Sequence, residues 1–238
     1  MLGIGITSYA DLKFLRALGI VKAFSILSLL PLSKSQLRQD LFVLLYSQQT
    51  RNKKKGGYFV EFGATNGINL SNTYLLETEF HWTGILAEPG IIWEKELKNN
   101  RPNVSIETLC VWTDSDSYLT FNEVDVPELS TIEYYSDKDN HSDVRLKGKK
   151  YEVKTISLYD LLIKYQAPKQ VDYLSIDTEG SEYEILKSFK FDEFDIRIIT
   201  VEHNYTPQRD LIHTLLTSNG YERKYVEVSG FDDWYVKR

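Results

Sequence analysis

The residues best suited to chemistry fall in four short stretches. The first is Tyr58-Phe59-Val60-Glu61-Phe62-Gly63-Ala64-Thr65-Asn66-Gly67, an apolar run that carries one acid, Glu61, and breaks at Gly63. Burying a carboxylate is costly unless a partner answers it. Gly63 and Gly67 admit positive φ and let a ligand approach the backbone. Asn66 tolerates a left-handed conformation and adds a side-chain amide. A strand running into such a turn and then a helix can grip a nucleotide-like cofactor at the carboxyl end of a parallel sheet. A tight strand-to-helix turn without a ligand carries the same signature.

The second stretch is Glu88-Pro89, which closes the run Gly84-Ile85-Leu86-Ala87 and lies 21 residues beyond Gly67. At about this distance, dinucleotide-binding folds place an acid that accepts from two ribose hydroxyls. An exposed turn formed with Pro89 is the other reading. The third is Asp177-Thr178-Glu179-Gly180, an acidic turn at the end of the apolar run that starts at Val171. The fourth is Glu202-His203-Asn204, at the end of the β-branched run from Ile196 to Val201.

The elements that must position these groups alternate. Residues 58–62, 84–87, 104–111, 151–156, 171–176 and 196–201 read as strands, and residues 118–124 alternate like a half-exposed antiparallel strand. Residues 69–77, 91–100, 157–165 and 181–189 read as helices, the third capped by Ser157. Thr206-Pro207 opens a further helix that ends before Gly220. Residues 221–228 and 231–236 then form a closing pair of strands. Strand–helix alternation with continuous apolar strands predicts a mainly parallel sheet with helices on both faces.

Upstream, residues 35–46 carry leucines at helical spacing after Ser35, a plausible cap. Residues 14–32 form the most apolar stretch, interrupted by Arg16 and Lys22, too short for a membrane span. It reads as a helix packed on the domain or resting on a membrane. Residues 52–57, with three lysines, read as a solvated loop. Residues 125–150 are polar and aperiodic, and a loop of that length is functional or disordered; Tyr134, Tyr135 and His141 within it are candidates for a substrate site.

Composition excludes several classes. The 238 residues carry 28 basic and 34 acidic side chains, a net charge of −6. That argues against broad nucleic-acid binding. A single cysteine, Cys110, forms neither an internal disulfide nor a multi-cysteine metal site, and fits a reducing, cytoplasmic setting.

Several segments spaced along the chain resemble the FkbM family of class I S-adenosylmethionine-dependent methyltransferases. Glu61-Phe62-Gly63-Ala64-Thr65-Asn66-Gly67 resembles its first motif. Asp177-Thr178-Glu179-Gly180-Ser181-Glu182 resembles its most distinctive one. Ser35-Gln36 with Gln39-Asp40, Asn72-Thr73-Tyr74 and Glu88-Pro89 also match. The likeness runs from about residue 35 to the C-terminus, which divides the chain into an apolar helical segment, 1–34, and a methyltransferase domain, 35–238.

The resemblance implies a Rossmann-like α/β fold, with a mainly parallel seven-stranded sheet, helices on both faces and an antiparallel C-terminal hairpin. It implies S-adenosylmethionine as cofactor, bound by Glu61, Gly63, Ala64, Asn66, Gly67, Asn72, Glu88, Val111, Trp112 and Asp177. In this reading Glu61 supports the loop or the methionine ammonium, Glu88 holds the ribose, and Cys110-Val111-Trp112 lies near adenine. Asp177, Glu202 and His203 would carry catalysis, with His203 accepting the proton of an acceptor hydroxyl, plausibly of a sugar or glycan. His203 could instead cap its strand end by hydrogen bonding. Asp177, Glu202 and Asn204 could hold Mg²⁺ in a minority reading, and Glu179 and Glu182 could support them or cap the next helix. A non-catalytic adaptor that keeps the fold, membrane-associated through residues 14–32, is the alternative from a different class; a nucleotide-dependent dehydrogenase is disfavoured because the third glycine is missing.

Overall fold

Glycine and arginine in left-handed backbone set the first boundaries. The computed structural model describes residues 9–47 and 56–238; most of the expected lysine loop, residues 52–57, lies outside them. The apolar segment breaks at Gly19, whose φ is +72°, into α1 (Tyr9–Leu18) and α2 (Ile20–Ile26). Helix α3 (Gln39–Tyr46) follows Arg38 at φ +70°, so it starts four residues later than Ser35. The Ser35 hydroxyl still accepts the Asp40 amide at 3.2 Å. Phe14, Leu18, Ile26, Leu29 and Leu30 are buried in one cluster with Phe42, Leu76 and Trp234. The segment 9–34 therefore shares its core with the rest of the chain.

Alternation then proceeds as β1 (Tyr58–Phe62), α4 (Tyr74–Phe80), β2 (Thr83–Ala87), α5 (Glu94–Asn100) and β3 (Ser105–Glu107). The expected strand over 104–111 is two strands in different sheets. The Glu107 carboxylate accepts the amides of Thr108 and Leu109 at 3.0 and 3.1 Å, which turns the chain out of the first sheet and into β4 (Cys110–Trp112). Next come β5 (Tyr118–Glu123), β6 (Thr131–Ile132), α6 (Ser142–Arg145), β7 (Lys149–Ser157) and α7 (Leu158–Lys164). Ser157 caps α7 by accepting the Asp160 amide at 3.1 Å. The chain closes with β8 (Gln170–Ile176), α8 (Glu182–Ser188), β9 (Asp195–Glu202), α9 (Gln208–Ser218), β10 (Tyr221–Lys224) and β11 (Asp232–Lys237).

Seven strands form the main sheet in the order β10-β11-β9-β8-β1-β2-β3. The pairs β1–β2, β2–β3, β1–β8 and β8–β9 are parallel, and β11 pairs antiparallel with β9 and β10. The order reverses between β1 and β8, and a crevice opens beyond the strand ends at such a point. Register brings those ends level: Phe62 lies opposite Ala87 and Ile176, and Ile176 opposite Val201. A second sheet, β4-β7-β5-β6, stands beside this edge. The strand expected over 151–156 belongs to it. So does β6, from the region read as an aperiodic loop; α6 also falls in that region.

Candidate active site

The level strand ends deliver Gly63, Glu88, Asp177 and Glu202 to one cavity of about 310 Å³, which Thr65, Asn72, Cys110 and Val111 also line. Gly63 sits at φ +72°, and a Cβ there would lie 2.0 Å from the Asp177 carbonyl oxygen. Only glycine lets β1 and β8 approach this closely.

Glu88 is buried rather than in an exposed turn. Its two oxygens accept the backbone amides of Thr65 at 3.0 Å and Gly90 at 2.7 Å. Burial pushes its pKa up to about 7, against the pull of those amides. Thr65 was not singled out in the sequence, although it lies inside the glycine motif.

Glu61 finds its partners within the protein. It accepts the Asn72 amide at 2.6 Å and the hydroxyls of Ser71 and Thr73. Burial raises its pKa and the nearby Arg101 guanidinium opposes that rise. Arg101 is fully buried; it donates to Gly67 O at 2.9 Å and to the hydroxyls of Ser71 and Thr73, and pairs with Glu77. Sequence reading missed Arg101, whose only signal was a lone cation between Asn100 and Pro102. The donors spent on Glu61 also explain why the helix expected over 69–77 begins only at Tyr74.

The remaining loop residues shape the turn. Asn66 accepts the amides of Ile68 and Asn69 through Oδ1. Gly67 packs on α5, where a Cβ would meet Arg101 and Leu97 at 2.7 Å. Ala64 is buried in the core. Trp112 packs with Cys110 on the second sheet's cluster and meets the Tyr135 ring edge-on at 6.3 Å. None of these four lines the cavity. Asn72 does; it donates Nδ2 to Ser175 at 2.9 Å, and its Oδ1 has no hydrogen-bond partner among the described residues.

Asp177, Glu179 and Glu202 bring carboxylate oxygens within 4.8 Å of one another. Burial lifts Asp177 to about 7 despite its hydrogen bond with Glu202. Burial and the Asp177 charge raise Glu179 to about 9 and hold Glu202 well above the carboxylate range. Like charges this close share protons. Asn204 donates Nδ2 to Glu202 at 2.9 Å and to Glu179 at 3.3 Å. It thus turns its nitrogen to the acids, and the third clustered oxygen donor is Glu179 instead. Glu182 caps its own turn, accepting the amides of Thr178 and Gly180.

His203 is buried behind this wall. Its Nδ1 accepts the Tyr205 amide at 3.0 Å, and Nε2 lies 3.8 Å from Asp233, itself held by Arg209 and Arg223. Burial lowers its pKa. The ring has no free lone pair facing the first cavity; it borders a second one of about 280 Å³, with Tyr134, Tyr135 and Gln208. Glu179, Glu202 and Asn204 line both cavities. The region 125–150 thus supplies Tyr134 and Tyr135 to one cavity and His141 to the other.

A family profile described as the methyltransferase FkbM domain matches residues 61–223, more than half of the chain. The chain belongs to the FkbM methyltransferase family. Its sheet order and antiparallel hairpin are those of a class I methyltransferase fold. Among solved structures, an FkbM methyltransferase from Methylobacillus flagellatus KT aligns at 14% identity and a TM-score of 0.48, covering 95% of this chain. This chain spans 58% of that enzyme's length. A precorrin-6y C5,15-methyltransferase from Geobacter metallireducens GS-15 aligns at 10% identity and TM-score 0.43, over 83% of this chain and 85% of its own. The N-terminal domain of human METTL16, solved with SAH, aligns at 14% identity and TM-score 0.43, over 82% and 66%. Curated proteins give no match.

Proposed function

We propose that this chain is an S-adenosylmethionine-dependent O-methyltransferase whose acceptor is a hydroxyl of a sugar or glycan. One observation carries the reading: Glu88 is buried at the end of β2, held by two backbone amides, and lines the cavity at the switch point. A carboxylate so placed suits a vicinal diol. The other contacts fit the same cofactor. The unpartnered Asn72 Oδ1 suits its ammonium, Gly63 permits close approach, and Cys110, Val111, Phe121 and Ile132 offer apolar wall to adenine. When bound, the cofactor supplies an electrophilic methyl group on a sulfonium.

The chain's own residues then handle the proton and the acceptor. Asp177, Glu179 and Glu202 share protons, so one ionised carboxylate is available near neutral pH to take the proton of an attacking hydroxyl. The second cavity suits a sugar: Tyr134 and Tyr135 offer ring faces and edges, and Asn204 and Gln208 offer amides. His203 holds the Tyr205 turn through Nδ1 and so positions Asn204.

A divalent cation is the second reading, favoured by the spacing of the three carboxylates, which are hard oxygen donors. Incubation with methyl-labelled S-adenosylmethionine and a panel of mono- and oligosaccharides, with Mg²⁺ or with chelator, tests both. Methyl ethers should form, and Glu88→Ala should abolish them. Absence of transfer to every hydroxyl under both conditions would leave the non-catalytic adaptor as the better account.

A further inference from the structure

Helix α1 has two unlike faces. Asp11, Phe14 and Leu18 turn inward, where Asp11 pairs with Arg38 at 2.8 Å. Tyr9, Leu12, Lys13 and Arg16, spaced three and four apart, lie on the outer face and are exposed. Helix α2 repeats the division: Ile26 is buried, whereas Ile20, Val21 and Phe24 are 75%, 73% and 71% exposed. Three large apolar side chains on one helical arc, all open to solvent, are unusual unless something covers them.

Charge says what that cover is. From residue 9 to residue 36 the sole acid is Asp11, already neutralised by Arg38. The exposed charges of this stretch are Lys13, Arg16, Lys22 and Lys34. A cationic, apolar surface on a chain of net charge −6 is a local reversal of the molecule's field. Apolar side chains flanked by cations and an outer tyrosine suit the headgroup region of an anionic bilayer. A two-fold contact with a second copy would press these cations against themselves. No helix among the described residues is long and apolar enough to cross a membrane, so the contact is peripheral.

We propose that α1 and α2 seat this protein on an anionic lipid surface through Ile20, Val21 and Phe24, with Lys13 and Arg16 holding headgroups. The same stretch continues through half-exposed Leu32 to the bridge between Ser35 and Leu70. Gln36 and Leu70 border the first cavity, so the seat and the cavity rim belong to one continuous segment. The seat does not depend on the cavity's chemistry.

Co-sedimentation of the full chain with phosphatidylcholine vesicles, with and without phosphatidylglycerol, tests it. Binding to the anionic vesicles should exceed binding to neutral ones by about tenfold or more and fade in high salt. The combined variant Ile20→Ser, Val21→Ser, Phe24→Ser should lose binding and keep its melting temperature, because these side chains are exposed. Lys13→Glu with Arg16→Glu should weaken it likewise. Absence of wild-type binding, or equal binding by the triple variant, would overturn the proposal. So would a concentration-dependent dimer that the triple variant abolishes in protein that ignores vesicles.

Discussion

Arg145 donates to the Glu179 carboxylate across 2.7 Å, and both side chains are buried. The same guanidinium binds Leu129 O at 2.7 Å and grips both oxygens of Asp139 at 2.9 Å. The Thr131 hydroxyl adds a bond to Glu179 O at 2.8 Å. One arginine thus fastens the polar region 125–150 to the acidic turn after β8, and with it the tyrosines of the second cavity. Arg145→Met would leave Glu179 and Asp139 buried without their cation. Stability should fall by about 3–5 kcal/mol, read from urea unfolding; a loss below about 1 kcal/mol would contradict this role.

Gly63→Ala should be far more harmful than Gly220→Ala, although both glycines have positive φ. At Gly63 the new methyl meets the Asp177 carbonyl at 2.0 Å; at Gly220 nothing lies within 4 Å. Backbone strain alone costs about 1 kcal/mol, and the clash at Gly63 adds to it. Thermal melts of the two variants should separate by several degrees. Equal melts would show that β1 and β8 do not need the close approach.

Stability should fall as pH rises from 5 to 8. Burial raises Asp40 to about 6, Glu88 and Asp177 to about 7 and Asp232 to about 8. Each raised acid binds its proton more tightly folded than unfolded. Its contribution is complete below the unfolded pKa and is lost as pH climbs through the folded one, at up to about 1.4 kcal/mol per unit and group. Melting at constant ionic strength measures the trend, and a melting temperature that rises across this range would contradict it.

Asp177→Asn should lower kcat by about 10²–10⁴-fold, because Asp177, lifted only to about 7, is the member of the trio that ionises near neutral pH. His203→Asn should cost stability but change kcat much less, because Nδ1 is spent on the Tyr205 amide and Nε2 faces the Asp233 side, away from the first cavity. Single-turnover kinetics beside equilibrium binding separates the two roles. A larger kcat effect at His203 would return the proton to the imidazole.

Much of the site was legible because its residues end apolar runs: Gly63, Glu88, Asp177 and Glu202 close β1, β2, β8 and β9. What stayed hidden depends on contacts between distant segments. Arg101 answers Glu61 across 40 positions, and Arg145 reaches Glu179 across 34. Cys110, Val111 and Trp112 were read together as adenine contacts, yet only Cys110 and Val111 line the cavity, because Trp112 is taken up by the Tyr135 ring. The second sheet was invisible because the switch at Thr108 and Leu109 rests on one carboxylate, Glu107, inside an otherwise continuous strand pattern.

The central claim is that the cavity at the ends of β1, β2 and β8 holds S-adenosylmethionine against Glu88. Calorimetric titration with S-adenosylhomocysteine, on wild-type protein and Glu88→Ala, tests it most directly. Wild type should bind one equivalent, and Glu88→Ala should bind about tenfold or more weakly with its fold intact. Failure of the wild type to bind at millimolar ligand, with or without Mg²⁺, would contradict the account.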